Sequence, residues 1–167
     1  MVLTTSLKAK KKEENPFKCI QEGALRLLAR REHSRQELVT KLCVRGFEQQ
    51  DVIDIIDNLA DQGLQSDARF AESFARYRIG RGQGPLRIRA ELQQRGVEGE
   101  LIAGALGTEG QDWLELAEKQ RRKRFGQAAP ETATERVRQQ RFLQYRGFSS
   151  EHIRYVLDHP CKGDHID

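Results

Sequence analysis

Residues 84–106 read GPLRIRAELQQRGVEGELIAGAL, and the same pattern stands at residues 34–56, SRQELVTKLCVRGFEQQDVIDII, and at residues 135–157, ERVRQQRFLQYRGFSSEHIRYVL. The Arg-Gly pair recurs at Arg45-Gly46, Arg95-Gly96 and Arg146-Gly147, at spacings of 50 and 51 residues. Leu42, Leu92 and Leu143 stand four positions before each second-copy and first-copy glycine, or its third-copy equivalent, and Phe47, Val97 and Phe148 follow it. A fixed period means one copied supersecondary unit, whose apolar side is buried by its neighbours. The fold expected is all-α: an extended tandem array of three three-helix repeats.

Helix punctuation supports that reading. In the first repeat, Ile20, Leu25, Leu27 and Leu28 mark one helix, Leu38 and Leu42 a second, and Val52, Ile55, Ile56 and Leu59 a third. Ser34 with Glu37 forms a capping box in sequence, and Gly46 supplies a left-handed C-terminal cap. Ser66-Asp67 opens the second repeat, whose first helix carries Phe70, Phe74, Ala75 and Tyr77. Gly80, Gly82 and Gly84 break the chain before Pro85, which suits a first helical position. The third repeat starts at Trp113, runs into Lys119–Arg124 and ends its first helix at Gly126. Thr132 with Glu135 and then Ser149 mark two further starts, and Val137, Phe142, Leu143 and Tyr145 provide apolar surface between them. No stretch alternates over a strand length. The boundaries expected are a disordered basic arm at 1–16, repeats at 17–63, 64–107 and 108–159, and a frayed tail at 160–167.

Charged residues make up 32% of the chain and hydrophobic ones 37%, with no apolar run near the length of a membrane span. Cys19, Cys43 and Cys161 lie far apart, which argues against a disulfide framework or a zinc knuckle and for a reducing, cytoplasmic setting. No GxSxG, phosphate loop or HExxH is present, so no catalytic residue, cofactor or metal is expected, and the chain is not expected to be an enzyme. His33 is expected at the surface, Cys43 in the core, and Trp113 as the core anchor of the third repeat.

Charge is unevenly placed. Residues 48–61 hold five acids and no base, whereas residues 76–95 hold six arginines against Glu91. Arg76, Arg78, Arg81, Arg87 and Arg89 form one candidate partner-binding group, and Lys119, Arg121, Arg122, Lys123 and Arg124 a second. The planar guanidinium suits phosphates and carboxylates because it makes two bonds at once. Arg45, Arg95 and Arg146 sit where a cation complements a helix C-terminus, so they are assigned to structure.

Several segments are similar to one bacterial family. GPLRIRAEL at 84–92 resembles the GPxRIxxEL signature of the regulatory protein RecX, and residues 63–78 resemble that family's GYLDDxxFAxxFxxxR. His33–Leu38 resembles its HSxxEL, and Arg141–Phe148 its RFLxxRGF. Gln65 stands where the family carries an apolar residue, a departure at the entry to the second repeat. The resemblance implies an elongated and curved molecule of tandem three-helix repeats, and binding to the RecA recombinase filament on DNA, with inhibition of its extension, ATPase and recombination, and so modulation of DNA repair and the SOS response. The chain is expected to act as a monomer, with non-specific phosphate contacts to single-stranded or double-stranded DNA. The alternative is a non-specific DNA-binding helical protein acting without RecA. Sequence-specific readout is disfavoured because the second helices begin Arg35-Gln36, Leu86-Arg87 and Arg136, starts that share no base-reading pattern.

Overall fold

A computed structural model describes residues 15–107 and 111–159. Every regular element among them is a helix: α1 Pro16–Leu28, α2 Arg35–Cys43, α3 Gln49–Asp61, α4 Asp67–Gly80, α5 Pro85–Gln93, α6 Gly99–Leu106, α7 Trp113–Phe125, α8 Ala133–Arg146 and α9 Ser150–Asp158. The helices divide between two compact units, one ending at Gln65 and one beginning at Ser66. Most of the expected arm, and the tail beyond His159, lie outside the described residues. Asn15 and Pro16 belong to the start of α1 rather than to the arm: the Asn15 side chain accepts the Phe17 amide, and Pro16 occupies the first turn.

The first unit closes around Ile20, Ala24, Leu38, Leu42, Val52, Ile56 and Leu59. Ser34 caps α2 by accepting the Glu37 amide at 3.1 Å, while the Glu37 carboxylate takes the Arg31 guanidinium at 3.0 Å. His33 is not a surface residue. It is 3% exposed, because its position beside the buried Ser34 cap turns it inward, and its Nδ1 lies 3.0 Å from the Arg31 carbonyl oxygen. Gln65 is buried too, and its amide donates to the His33 carbonyl at 3.2 Å. The polar departure at that position thus satisfies a buried backbone acceptor that an apolar side chain would leave unpaired.

The second unit holds two cores. Phe70, Ala71, Ala75, Ile88, Leu92, Val97, Ile102, Ala105 and Leu106 form one, and Ala117, Leu143, Phe148, Ile153, Val156 and Leu157 form the other. Trp113 packs against both, so it joins the repeats rather than anchoring the third alone.

A backbone clasp reinforces this junction. The first amides of a helix have no intrahelical partner, and neither do the last carbonyls. Here the Gly84 amide donates to the Arg146 carbonyl at 2.8 Å and the Leu86 amide to the Gly147 carbonyl at 3.0 Å. The end of α8 therefore caps the start of α5. The Arg146 guanidinium donates back to the Arg81 carbonyl at 2.9 Å, and Arg87 donates to the Tyr145 carbonyl at 3.2 Å. Gly147 has φ +89°, and a Cβ there would meet the Arg87 backbone and Cβ. A Cβ on Gly84 would meet the Gly147 carbonyl.

Two outcomes test this packing. Gly147→Ala should destabilise the second unit by more than about 2 kcal/mol, since a left-handed penalty adds to an overpacked contact. Gly46→Ala, at φ +91° with open space around its Cβ, should cost the first unit only about 1 kcal/mol. Equal losses in denaturant titrations would show that the clasp is not close-packed. Burial, first of all, lowers the His33 pKa from its usual 6.5, while its bond with Arg31 opposes this. The unfolded chain then binds the proton more readily, so the first unit's stability is full above about pH 6.5 and falls as pH drops below it. His33→Gln should flatten that window in urea midpoints measured between about pH 8 and 5; an unchanged slope would place the titration elsewhere.

Candidate functional site

The apolar stripe Phe70, Ala71 and Ala75 sets the rotation of α4 and leaves Arg76 and Arg81 exposed. Arg78 is half-buried: its guanidinium lies 4.9 Å from the Phe74 ring centroid and 2.5 Å from the Glu91 carboxylate. Arg87, four residues before Glu91 on α5, reaches the same carboxylate at 3.1 Å. That bond, chiefly, raises the Arg87 pKa further above its usual value, so it stays charged. Arg95 donates to the Glu91 carbonyl at 2.6 Å over the Phe74 ring, and Arg146 caps the α4–α5 loop. Both serve structure, as their positions predict.

Arg76, Arg81 and Arg89 form no ion pair among the described residues. Arg81 instead donates to the Tyr77 hydroxyl at 2.6 Å. Glu91 is thus the carboxylate to which Arg78 and Arg87 both turn, and their neighbours keep an unneutralised positive field. Such a field attracts phosphate or a carboxylate-rich surface.

The second candidate group does not hold together. Arg121 is fully buried and cannot meet a partner. It is bonded to the Glu118 carboxylate at 2.8 and 2.9 Å and to the Gln127 and Ala128 carbonyls, so it ties α7 to the loop behind it. The helical period explains why: Arg121 follows Ala117, a core residue, by four positions and faces inward with it. Arg122 is half-buried on Glu118 at 2.8 Å. Burial pushes the Glu118 carboxyl up, but the bonds from Arg121 and Arg122 outweigh it and leave the pKa lowered. Lys119, Lys123 and Arg124 remain exposed, and no bond among the described residues links them to the α4–α5 group.

The structure adds residues that sequence reasoning passed over. Arg138 and Arg141 are exposed on α8, with the Arg138 guanidinium 5.6 Å from the Phe125 ring centroid. Their i, i+3 spacing placed them on one face, away from Leu143. Tyr77 and Tyr145 are not core: they are 56% and 77% exposed. Tyr145 sits two residues beyond buried Leu143, about 200° round the helix, which the apolar composition of the segment obscures.

No cluster of three or more His, Cys, Asp or Glu residues suited to a metal occurs among the described residues, and no described helix is long and apolar enough to cross a membrane. A cleft of about 530 Å³ between α7 and α9 is lined by Asp112, Glu115, Glu118, Lys119 and His159. Two of its carboxylates are already engaged, Asp112 as the cap of α7 and Glu118 with Arg121.

These features define an all-α protein of tandem three-helix repeats. Family models for the first, second and third three-helix domains of RecX match residues 22–59, 66–106 and 111–157. The chain belongs to the RecX family. It is 48% identical over 138 residues to the regulatory protein RecX of Chromohalobacter salexigens, covering 83% of this chain and 90% of that one. It is 47% identical over 135 residues to the regulatory protein RecX of Halorhodospira halophila, covering 81% and 84%. Among solved structures, a crystal structure of regulatory protein RecX superposes with TM-score 0.74 at 27% identity, covering 86% of this chain and 72% of that one. RecX from Lactobacillus salivarius superposes with TM-score 0.73 at 21% identity, covering 86% and 96%.

Arg121→Leu should destabilise the second unit by about 3 kcal/mol, because it leaves the buried Glu118 carboxylate to Arg122 alone and strands the Gln127 and Ala128 carbonyls. Lys123→Ala should stay within about 0.5 kcal/mol of wild type. Matching denaturation midpoints for the two variants would contradict the burial of Arg121.

Proposed function

We propose that this chain binds the RecA recombinase filament on DNA in the cytoplasm and inhibits its extension, ATPase and recombination activity, thereby modulating DNA repair and the SOS response. Membership of the RecX family supports the partner. The observation that carries the surface is the excess of guanidinium over carboxylate on α4 and α5, with Arg76, Arg81 and Arg89 as its unpaired members. A second patch at Lys119, Lys123 and Arg124 extends the reach to phosphates of the filament's DNA. The protein acts as a monomer, one copy at a growing filament end stopping the addition of many later subunits.

The alternative, DNA binding without RecA in the manner of a helix-turn-helix module, fares less well. Such a module presents the N-terminal residues of its recognition helix to base edges. In α5 that first turn is taken up by α8, through the bonds of the Gly84 and Leu86 amides.

RecA ATPase on single-stranded DNA, titrated with this protein, should fall at well under one copy per RecA protomer. The triple variant Arg76→Ala, Arg81→Ala, Arg89→Ala should keep its thermal midpoint, weaken inhibition at least about tenfold, and flatten its salt dependence as fewer counterions are released. Full inhibition by this variant would move the binding surface off α4 and α5. A requirement for stoichiometric protein would rule out end-blocking.

A further inference from the structure

Tyr77 and Tyr145 expose aromatic surface beside arginines at the junction of α4, α5 and α8, and neither belongs to a core cluster. The Tyr145 ring is 77% exposed, with the Arg87 guanidinium 5.3 Å from its centroid. The Tyr77 ring is 56% exposed, with Arg81 at 5.5 Å and Arg78 at 5.9 Å. Arg87 donates to the Tyr145 carbonyl, and Arg146, the residue after Tyr145, donates to the carbonyl of Arg81. The two tyrosines and their guanidiniums are thereby linked through one short network of bonds around the Gly82–Gly84 loop. Arg81 and Arg146 have no carboxylate partner among the described residues, and Arg78 and Arg87 share Glu91.

An exposed ring held by a guanidinium is fixed in orientation, so little rotamer entropy is lost when a flat group lands on it. A cation beside each ring suits a ligand that alternates flat apolar faces with negative charges. An unpaired nucleic-acid strand has that alternation: bases stack on aromatic rings while phosphates meet arginines. A duplex hides its base faces and offers phosphates alone. We infer that Tyr77 and Tyr145 are stacking platforms which, with Arg81, Arg87 and Arg146, make this junction a binding site for single-stranded nucleic acid in preference to duplex. This rests on the reading that the α4–α5 face meets the filament and its DNA, and goes beyond it by naming the strand class and the residues that select it.

The test is fluorescence anisotropy in the absence of RecA, with labelled oligothymidine and a labelled hairpin duplex of equal length, using the full chain. Wild type should bind oligothymidine more tightly than the hairpin. Tyr77→Ala and Tyr145→Ala should each weaken oligothymidine binding about tenfold, the loss expected for one stacked base, and leave the hairpin unchanged. Tyr77→Phe and Tyr145→Phe keep the ring and should retain most of the affinity, which separates stacking from loss of fold, and thermal midpoints of all four check the same point. Alanine variants that bind oligothymidine as wild type does would overturn the inference and leave a phosphate-only surface. Equal affinity of wild type for strand and duplex would overturn it as well. If wild type binds neither probe yet inhibits RecA, the stacking site is refuted and the filament reading stands. If the tyrosines select single strands and RecA is not inhibited, the stacking site stands and the filament reading fails.

Discussion

The second unit depends on one exchange between helix ends. The last carbonyls of α8 and the first amides of α5 are groups that a helix cannot satisfy by itself, and each set satisfies the other at the Arg146–Gly84 and Gly147–Leu86 bonds. The two helix dipoles meet there with opposite partial charges, which adds to the attraction. The contact tolerates no Cβ at Gly84 or Gly147, so residue choice at both positions follows from the approach of two backbones. Trp113, packed on both cores, closes the same junction from its apolar side.

That junction also positions charge. Arg146 and Arg95, which sequence position assigns to structure, bond backbone carbonyls, while the Glu91 carboxylate meets both Arg78 and Arg87. In the first unit the balance is reversed: α3 carries Asp51, Asp54, Asp57 and Asp61, and the bond from Arg35 lowers the Asp57 pKa.

Much of the fold was legible because periodicity and punctuation are local. The Arg-Gly recurrence, the Ser66, Thr132 and Ser149 caps and Pro85 all mark helix ends that the structure confirms. What escaped was set by contacts distant in sequence. His33 and Gln65 lie 32 residues apart and meet through one buried hydrogen bond, from the Gln65 amide to the His33 carbonyl. The clasp pairs residues about sixty positions apart, which no helical repeat predicts. The candidate site was legible as a composition and blurred as a surface. A run such as KQRRKR winds round its helix, so Lys123 and Arg124 face water while Arg121 enters the core. Tyr77 and Tyr145 stand in apolar segments, and only their phase on the helix turns them to solvent.

By capping α5, α8 makes the second and third repeats one cooperative body that holds the arginine surface in place. Native-state hydrogen exchange of the Gly84 and Leu86 amides tests it most directly. First-turn amides of an ordinary helix exchange freely, because they lack intrahelical partners. The clasp predicts that both exchange slowly, with opening free energies close to that of the second unit's core amides, such as Leu92 and Leu143. Exchange as fast as that of the Gln50 and Asp51 amides, at the start of α3, would contradict it.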